Sequence, residues 1–100
     1  MKKKIDMLIT NGRIVDGTGK RAYRANIAII GDRIVDISAK ADFLATHEIE
    51  AEGKVVAPGF IDSHTHDDRL LLDEPGMNCK VTQGVTTVVA GNCGISLAPF

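Results

Sequence analysis

Aromatic side chains and charge of one sign are both scarce in this chain of 100 residues. It has three Phe, one Tyr and no Trp, and its 12 Lys and Arg residues nearly balance its 13 Asp and Glu residues, for a net charge of −1. Nucleic-acid-binding surfaces usually carry a basic patch, and those for single strands add stacking aromatics. We therefore expect no nucleic-acid partner. With 44% hydrophobic residues and little net charge, the chain is also expected to fold rather than to be disordered.

Cysteine and long apolar runs are scarce as well. Two cysteines, Cys79 and Cys93, are too few for a disulfide framework. No run approaches the roughly 18 apolar residues of a membrane span. The three lysines at residues 2–4 are followed by Asp6, not by the apolar segment of a signal peptide. We therefore expect a cytoplasmic location with both thiols reduced, and no membrane partner.

What the chain has in abundance is Ile, Val, Leu, Ala and ten Gly, arranged in short β-prone stretches. The first half predicts strands near residues 5–10, 13–15, 25–30, 33–37, 47–51 and 54–57. Asn11-Gly12 predicts a two-residue hairpin turn, and Ser38 predicts the start of a short helix through Leu44. Residues 17–20 (GTGK) lack the upstream glycine of a phosphate-binding loop and are interpreted as a turn. This spacing is typical of a small β sandwich.

The pattern changes after residue 57. Residues 60–64 begin as a buried strand and end in polar side chains, residues 77–83 have helical spacing before Gly84, and residues 85–90 are a β-branched run typical of a buried parallel strand. Strand, helix and strand together make one βαβ unit. We therefore expect a mixed β and α/β chain, with a small β domain over residues 1–57 and an α/β part over residues 58–100.

The main chemical feature is the pair His64 and His66. Residues i and i+2 of a strand point to the same face, so both imidazoles can reach one metal ion. Neutral imidazole is a common zinc ligand near pH 7, and nearby Asp62, Asp67 and Asp68 add negative charge that favours a dication. Two histidines on a surface loop would give the same short motif, so the interpretation depends on its context.

That context is supplied by Cys93, in residues 91–94 (GNCG), just after the predicted strand at residues 85–90. Since the carboxyl ends of parallel strands share one edge of a sheet, Cys93 is the predicted third metal ligand, with a small buried apolar residue as the alternative. Cys79, inside the predicted helix, is interpreted as structural. His47 has acidic neighbours but no ligand spacing and is interpreted as a solvated surface residue.

These residues carry a family resemblance. Residues 56–66 (VAPGFIDSHTH) resemble the strand-one signature of the amidohydrolase superfamily, and residues 11–19 and 31–35 resemble its N-terminal small β domain. Residues 66–68 (HDD) and 83–94 (QGVTTVVAGNCG) are similar to the N-acyl-D-amino-acid deacylases, or D-aminoacylases. The resemblance covers nearly the whole chain.

The resemblance implies a zinc hydrolase that cleaves the amide of N-acyl-D-amino acids, with His64, His66 and Cys93 as metal ligands. It implies a small β-sandwich domain completed by C-terminal strands, followed by a metal-dependent TIM barrel. Such a barrel needs roughly 250 residues, so we expect this chain to hold only the N-terminal part of the enzyme and the first βαβ unit of a truncated barrel. Further histidines and the general base, an aspartate, are expected beyond Phe100, and the 100-residue chain alone is expected to be inactive.

Other interpretations remain open at this point. A dihydropyrimidinase-like or dihydroorotase-like hydrolase of cyclic amides would share the histidine pair, although the GNCG element favours the deacylases. A small β module that binds a partner without catalysis is a third interpretation. The β-branched run at residues 85–90 would present an unpaired apolar edge in this chain alone, which favours strand exchange or a homo-oligomer.

Overall fold

The computed structural model describes residues 2–91 and divides into two compact units, Met1–Pro58 and Gly59–Phe100. The described residues form seven strands and two short helices: β1 (Lys3–Ile14), β2 (Tyr23–Ile30), β3 (Arg33–Ser38), β4 (Phe43–Glu50), β5 (Val55–Val56), β6 (Phe60–Thr65), α1 (Asp68–Asp73), α2 (Asn78–Val81) and β7 (Val85–Ala90). No helix among these residues is long and apolar enough to cross a membrane. The assignment of residues 1–57 and 58–100 to two domains of a larger enzyme stays a prediction.

The first unit is a five-stranded mixed sheet of order β3-β2-β1-β4, in which the short β5 also pairs with β1. The pairs β1–β2 and β2–β3 are antiparallel, whereas β4 and β5 run parallel to β1. Two hydrophobic clusters lie on this sheet, one around Ile5, Leu8 and Ala28 and the other around Ile14 and Ile27. The predominance of strands in the first half is as predicted.

The predicted hairpin turn at Asn11-Gly12 is wrong, because β1 continues through it to Ile14. Asn11 has φ 59°, and the register between β1 and β2 shifts between Ile9 and Gly12. The residue types that favour a tight turn therefore form a bulge here. Gly12 is also required for space, since a Cβ there would lie 2.6 Å from Cγ2 of Val56.

The predicted helix from Ser38 to Leu44 is also wrong. Ser38 Oγ donates a hydrogen bond to Asp36 Oδ2 (2.5 Å) and accepts one from the Lys40 amide (3.1 Å), which makes a local turn rather than a helix cap. The chain then enters β4, whose backbone pairs with β1 from Phe43 onwards. The interpretation of residues 17–20 as a turn is confirmed, since Thr18 donates its amide to Asp16 Oδ1 (3.0 Å).

The second unit contains the predicted strand, helix and strand. Its strands β6 and β7 form a two-stranded parallel sheet, and α1 and α2 lie between them in the sequence. Asp67 directly precedes α1, which begins at Asp68. Gly59 allows close approach of the strands, because a Cβ there would lie 2.8 Å from Cβ of Thr86 and closer still to its side-chain oxygen.

Candidate metal centre

The two predicted histidine ligands lie together at the carboxyl end of β6. The ring centroids of His64 and His66 are 5.7 Å apart, with an interplanar angle of 73°. Both residues are exposed, whereas Thr65 between them is buried. This alternation is what a strand imposes on successive side chains. The structure therefore places both imidazoles on one side of the chain, as the spacing predicts, while their role as ligands stays a prediction.

Thr65 fixes the middle of this segment to β7. Its hydroxyl donates a hydrogen bond to the carbonyl of Val89 (3.3 Å) and accepts one from the Asp67 amide (3.4 Å). Thr65 is also opposite Ala90 in the parallel ladder. The histidines are thus held at the end of the two-stranded sheet, next to the point where β7 ends.

A lysine and two carboxylates flank the histidine pair. Lys80 Nζ on α2 donates a hydrogen bond to Asp62 Oδ2 (2.9 Å) and lies 3.3 Å from Asp67 Oδ2. The second contact is an ion pair without good hydrogen-bond geometry, and it compensates a carboxylate oxygen that is buried and accepts no hydrogen bond within residues 2–91. The three side chains are only 23%, 35% and 15% exposed, in the order Lys80, Asp62, Asp67.

The hydrogen bond between Lys80 and Asp62 stabilises the charged form of each partner. The hydrogen bond from Lys80 lowers the pKa of Asp62 below its usual value, and the same bond raises the pKa of Lys80. Both partners of this hydrogen bond are therefore held in their charged forms. Sequence reasoning found both aspartates and missed Lys80, since one lysine on a four-residue helix forms no pattern.

The other candidate residues lie on other elements of the described structure or, for one cysteine, outside the described residues. Cys93 lies outside the described residues and follows Ala90 by three positions in the sequence. Cys79 is a free, exposed thiol on α2, and His47 is exposed on β4 in the first unit. Asp68 begins α1. Within residues 2–91, no group of three or more His, Cys, Asp or Glu side chains could hold a metal ion.

The donor set present is therefore a pair of imidazoles with carboxylate charge beside them. Two imidazoles suit zinc or a similar dication, and a catalytic zinc site typically has three protein ligands. The described residues supply two ligands of the type such a site needs. They fit a metal centre that takes its remaining ligands from other residues.

A model of the amidohydrolase family matches residues 47–99, which include β6, β7 and the histidine pair. The chain therefore belongs to the amidohydrolase family. Within it, the chain is 52% identical over 95 residues to the D-aminoacylase of Alcaligenes xylosoxydans xylosoxydans, covering 95% of this chain and 20% of that protein. It is 51% identical over 95 residues to the N-acyl-D-aspartate deacylase of the same organism, covering 95% of this chain and 19% of that protein.

A solved structure has a similar fold. The chain is 47% identical to an N-acyl-D-glutamate deacylase from Bordetella bronchiseptica, with a TM-score of 0.91 over 97% of this chain and 20% of that one. That crystal structure holds zinc and a phosphonate inhibitor, which mimics the tetrahedral intermediate of its reaction. The chain spans about a fifth of the length of the curated relatives it matches.

Proposed function

We propose that this chain forms the N-terminal part of a zinc-dependent hydrolase that cleaves the amide bond of N-acyl-D-amino acids. The single observation that carries the proposal is the imidazole pair of His64 and His66 at the carboxyl end of β6, with ring centroids 5.7 Å apart. That pair lies in a chain 52% identical to a D-aminoacylase. The zinc in the Bordetella bronchiseptica deacylase supports the choice of metal.

In this proposal His64, His66 and Cys93 hold the zinc ion. When bound, zinc lowers the pKa of a water ligand towards 7 and polarises the carbonyl of the scissile amide. The two imidazoles would bind the zinc ion from one side of the chain. Thr65 keeps them at the end of the sheet through its hydrogen bond to the Val89 carbonyl. As the family resemblance implies, we assign the general base, an aspartate, to a part of the whole protein beyond Phe100.

The identities to the relatives support a class of substrate, but they do not select the side chain of the D-amino acid within that class. The chain is 52% identical to a D-aminoacylase, 51% to an N-acyl-D-aspartate deacylase and 47% to an N-acyl-D-glutamate deacylase. Because these values are so close for proteins named for different substrates, we propose the shared class, an N-acyl-D-amino acid. We also propose a cytoplasmic location. Because β6 and β7 form a sheet of only two strands within the described residues, we further propose that additional strands extend this pair in the assembled protein.

The test is hydrolysis by the purified whole protein loaded with zinc. We expect release of the free amino acid from N-acetyl-D-amino acids and none from the L enantiomers or from hydantoins. His64→Asn should lower kcat/KM by more than about 100-fold and reduce the bound zinc, since even groups that only support a ligand are worth 10–100-fold. His47→Asn is the matched control, because His47 is an exposed histidine on β4, and it should leave both quantities unchanged.

Three results would contradict the proposal in different ways. Ring opening of a hydantoin without cleavage of N-acetyl-D-amino acids would favour the cyclic-amide hydrolase. Zinc content and activity unaffected by His64→Asn would remove the histidine pair from the site. A folded protein that binds no added zinc and hydrolyses none of these substrates would favour a binding module.

A further inference from the structure

The structure assigns Lys80 as a positioning residue that holds the His64–His66 segment in its metal-binding geometry by bridging Asp62 and Asp67. This inference rests on the proposed metal site and concerns a residue that is neither a ligand nor a reactant. Its basis is the placement of one ammonium group between two carboxylates that lie on either side of the histidines in the sequence.

The first step is geometric. Asp62 precedes His64 by two residues, and Asp67 follows His66 directly. Lys80 Nζ lies 2.9 Å from Asp62 Oδ2 and 3.3 Å from Asp67 Oδ2, so a single group on α2 contacts both ends of the segment. Thr65 restrains its middle through the Val89 carbonyl. The segment is therefore restrained at three points, and the two outer ones share Lys80.

The second step concerns burial. The side chain of Lys80 is 23% exposed and that of Asp67 is 15% exposed, unlike the surface pair of Arg69 and Asp73, at 81% and 59%. Exposed ion pairs contribute little, whereas removing one partner of a shielded pair leaves the other charge uncompensated. Without Lys80, the Asp67 carboxylate would have to turn towards water, and the backbone next to His66 would move with it.

The third step separates positioning from simple electrostatics. A lysine near a dication opposes its binding by charge repulsion, so loss of the lysine charge alone would make the metal bind more tightly. Loss of the bridge predicts weaker binding, because the imidazoles would no longer be held in one arrangement. The two effects have opposite signs, and the direction of the change therefore identifies the role of Lys80.

The experiment is a zinc titration of the whole protein, with the Co²⁺ visible spectrum as a second measurement. Lys80→Met should weaken zinc affinity by about 10-fold, the lower end of the effect of groups that support metal ligands, and should alter the Co²⁺ spectrum. Lys80→Arg should restore most of the affinity, since a guanidinium can also contact two carboxylates. Arg69→Met is the matched control, because it removes a cation from the same unit and should leave zinc affinity unchanged.

The outcomes are decisive in both directions. Affinity of Lys80→Met equal to or tighter than that of the unmodified protein would overturn the assignment while leaving the proposed function intact. Weakening that Lys80→Arg does not rescue would also overturn it. If Lys80→Met does not fold, Lys80→Gln replaces it under the same criteria. An unmodified protein that binds no zinc would overturn the proposed function, and the assignment with it.

Discussion

Different interactions stabilise the interior of each of the two units. The first unit buries seven of the eight hydrophobic side chains that are buried within residues 2–91, namely Ile5, Leu8, Ile14, Ala25, Ile27, Ala28 and Ala51. In the described part of the second unit, Met77 is the single buried hydrophobic residue. Instead, the second unit is organised by the β6–β7 ladder, the Thr65 hydroxyl and the bridge at Lys80.

This difference shows which kind of interaction fixes the positions of side chains in each unit. Apolar burial supplies most of the favourable free energy of folding, but it is not directional. Hydrogen bonds and partly buried ion pairs contribute less and fix orientation more closely. The histidine pair lies in the unit that depends on directional contacts, and the unit with the larger apolar core contains none of the described residues of the candidate metal site.

The largest expected effect comes from removing one leucine side chain in each unit. Leu8 is 1% exposed and Leu72 is 51% exposed. Leu8→Ala should destabilise the chain by about 2–5 kcal/mol, because it leaves a cavity in the sheet core. Leu72→Ala should change stability by less than about 0.5 kcal/mol. Urea denaturation followed by circular dichroism measures both, and similar losses for the two variants would remove the contrast between the units.

A smaller effect is expected from the two polar residues that are buried within residues 2–91, Asn26 in the first unit and Thr65 in the second. Asn26 Oδ1 accepts the Asn11 amide (2.8 Å), and its Nδ2 donates to the carbonyls of Ala39 (3.3 Å) and Lys40 (3.0 Å). Asn26→Ala should cost about 1–3 kcal/mol of global stability, since it leaves these groups unsatisfied.

Thr65→Val is the counterpart in the second unit. It keeps the shape of the side chain and removes the hydroxyl contacts, so we expect faster amide hydrogen exchange confined to β6 and β7. Exchange measured by NMR on both variants locates each effect. A global change for Thr65→Val, or a local one for Asn26→Ala, would reverse the roles given to the two units.

The smallest expected effect concerns pH. The hydroxyl of Thr10 donates a hydrogen bond to Glu50 Oε2 (3.0 Å), and the side-chain amide of Asn11 donates to both carboxylate oxygens. These hydrogen bonds lower the pKa of Glu50 from its usual 4.5. A carboxyl group whose pKa is lower in the folded than in the unfolded state stabilises the fold. This contribution is fully present when the pH is above the pKa of the unfolded state, and it is lost as the pH falls through the pKa of the folded state.

Glu50→Gln should therefore reduce the loss of stability between neutral pH and about pH 3, and Glu48→Gln on the same strand is the control. Thermal unfolding at a series of pH values measures the difference. Because Glu50 lies at the surface, we expect a small change. An unchanged acid dependence in Glu50→Gln would show that these contacts between β1 and β4 add nothing to the first unit.

The sequence predicts best those features that depend on neighbouring residues alone. The period of two along a strand places His64 and His66 on one side of the chain, as found. The β-branched run at residues 85–90 coincides with β7. Gly84, expected just after the second helix, has φ 84°. In each case the physical cause lies within a few residues.

The sequence predictions are wrong where the structure depends on pairing between residues that are far apart in the sequence. Asn11 has the backbone conformation of a turn residue, but β1 stays extended because its backbone also pairs with β4 and β5. Residues 38–44, predicted as a short helix, instead lead into a strand whose backbone pairs with β1. Lys80 was missed for the same reason, since its role depends on partners 18 and 13 positions away.

The parallel pairing of β1 with β4 has a consequence for the order of events during synthesis. Thr10 pairs with Glu50, 40 positions later in the sequence, whereas β2 follows β1 closely. At about 5–20 residues per second, a ribosome needs roughly 2–8 s to add those 40 residues. During that interval the hairpin of β1 and β2 exposes one open edge of β1 to other nascent chains. Aggregation during synthesis should therefore depend on how quickly β4 emerges, and slower translation of residues 11–50 would prolong the vulnerable interval.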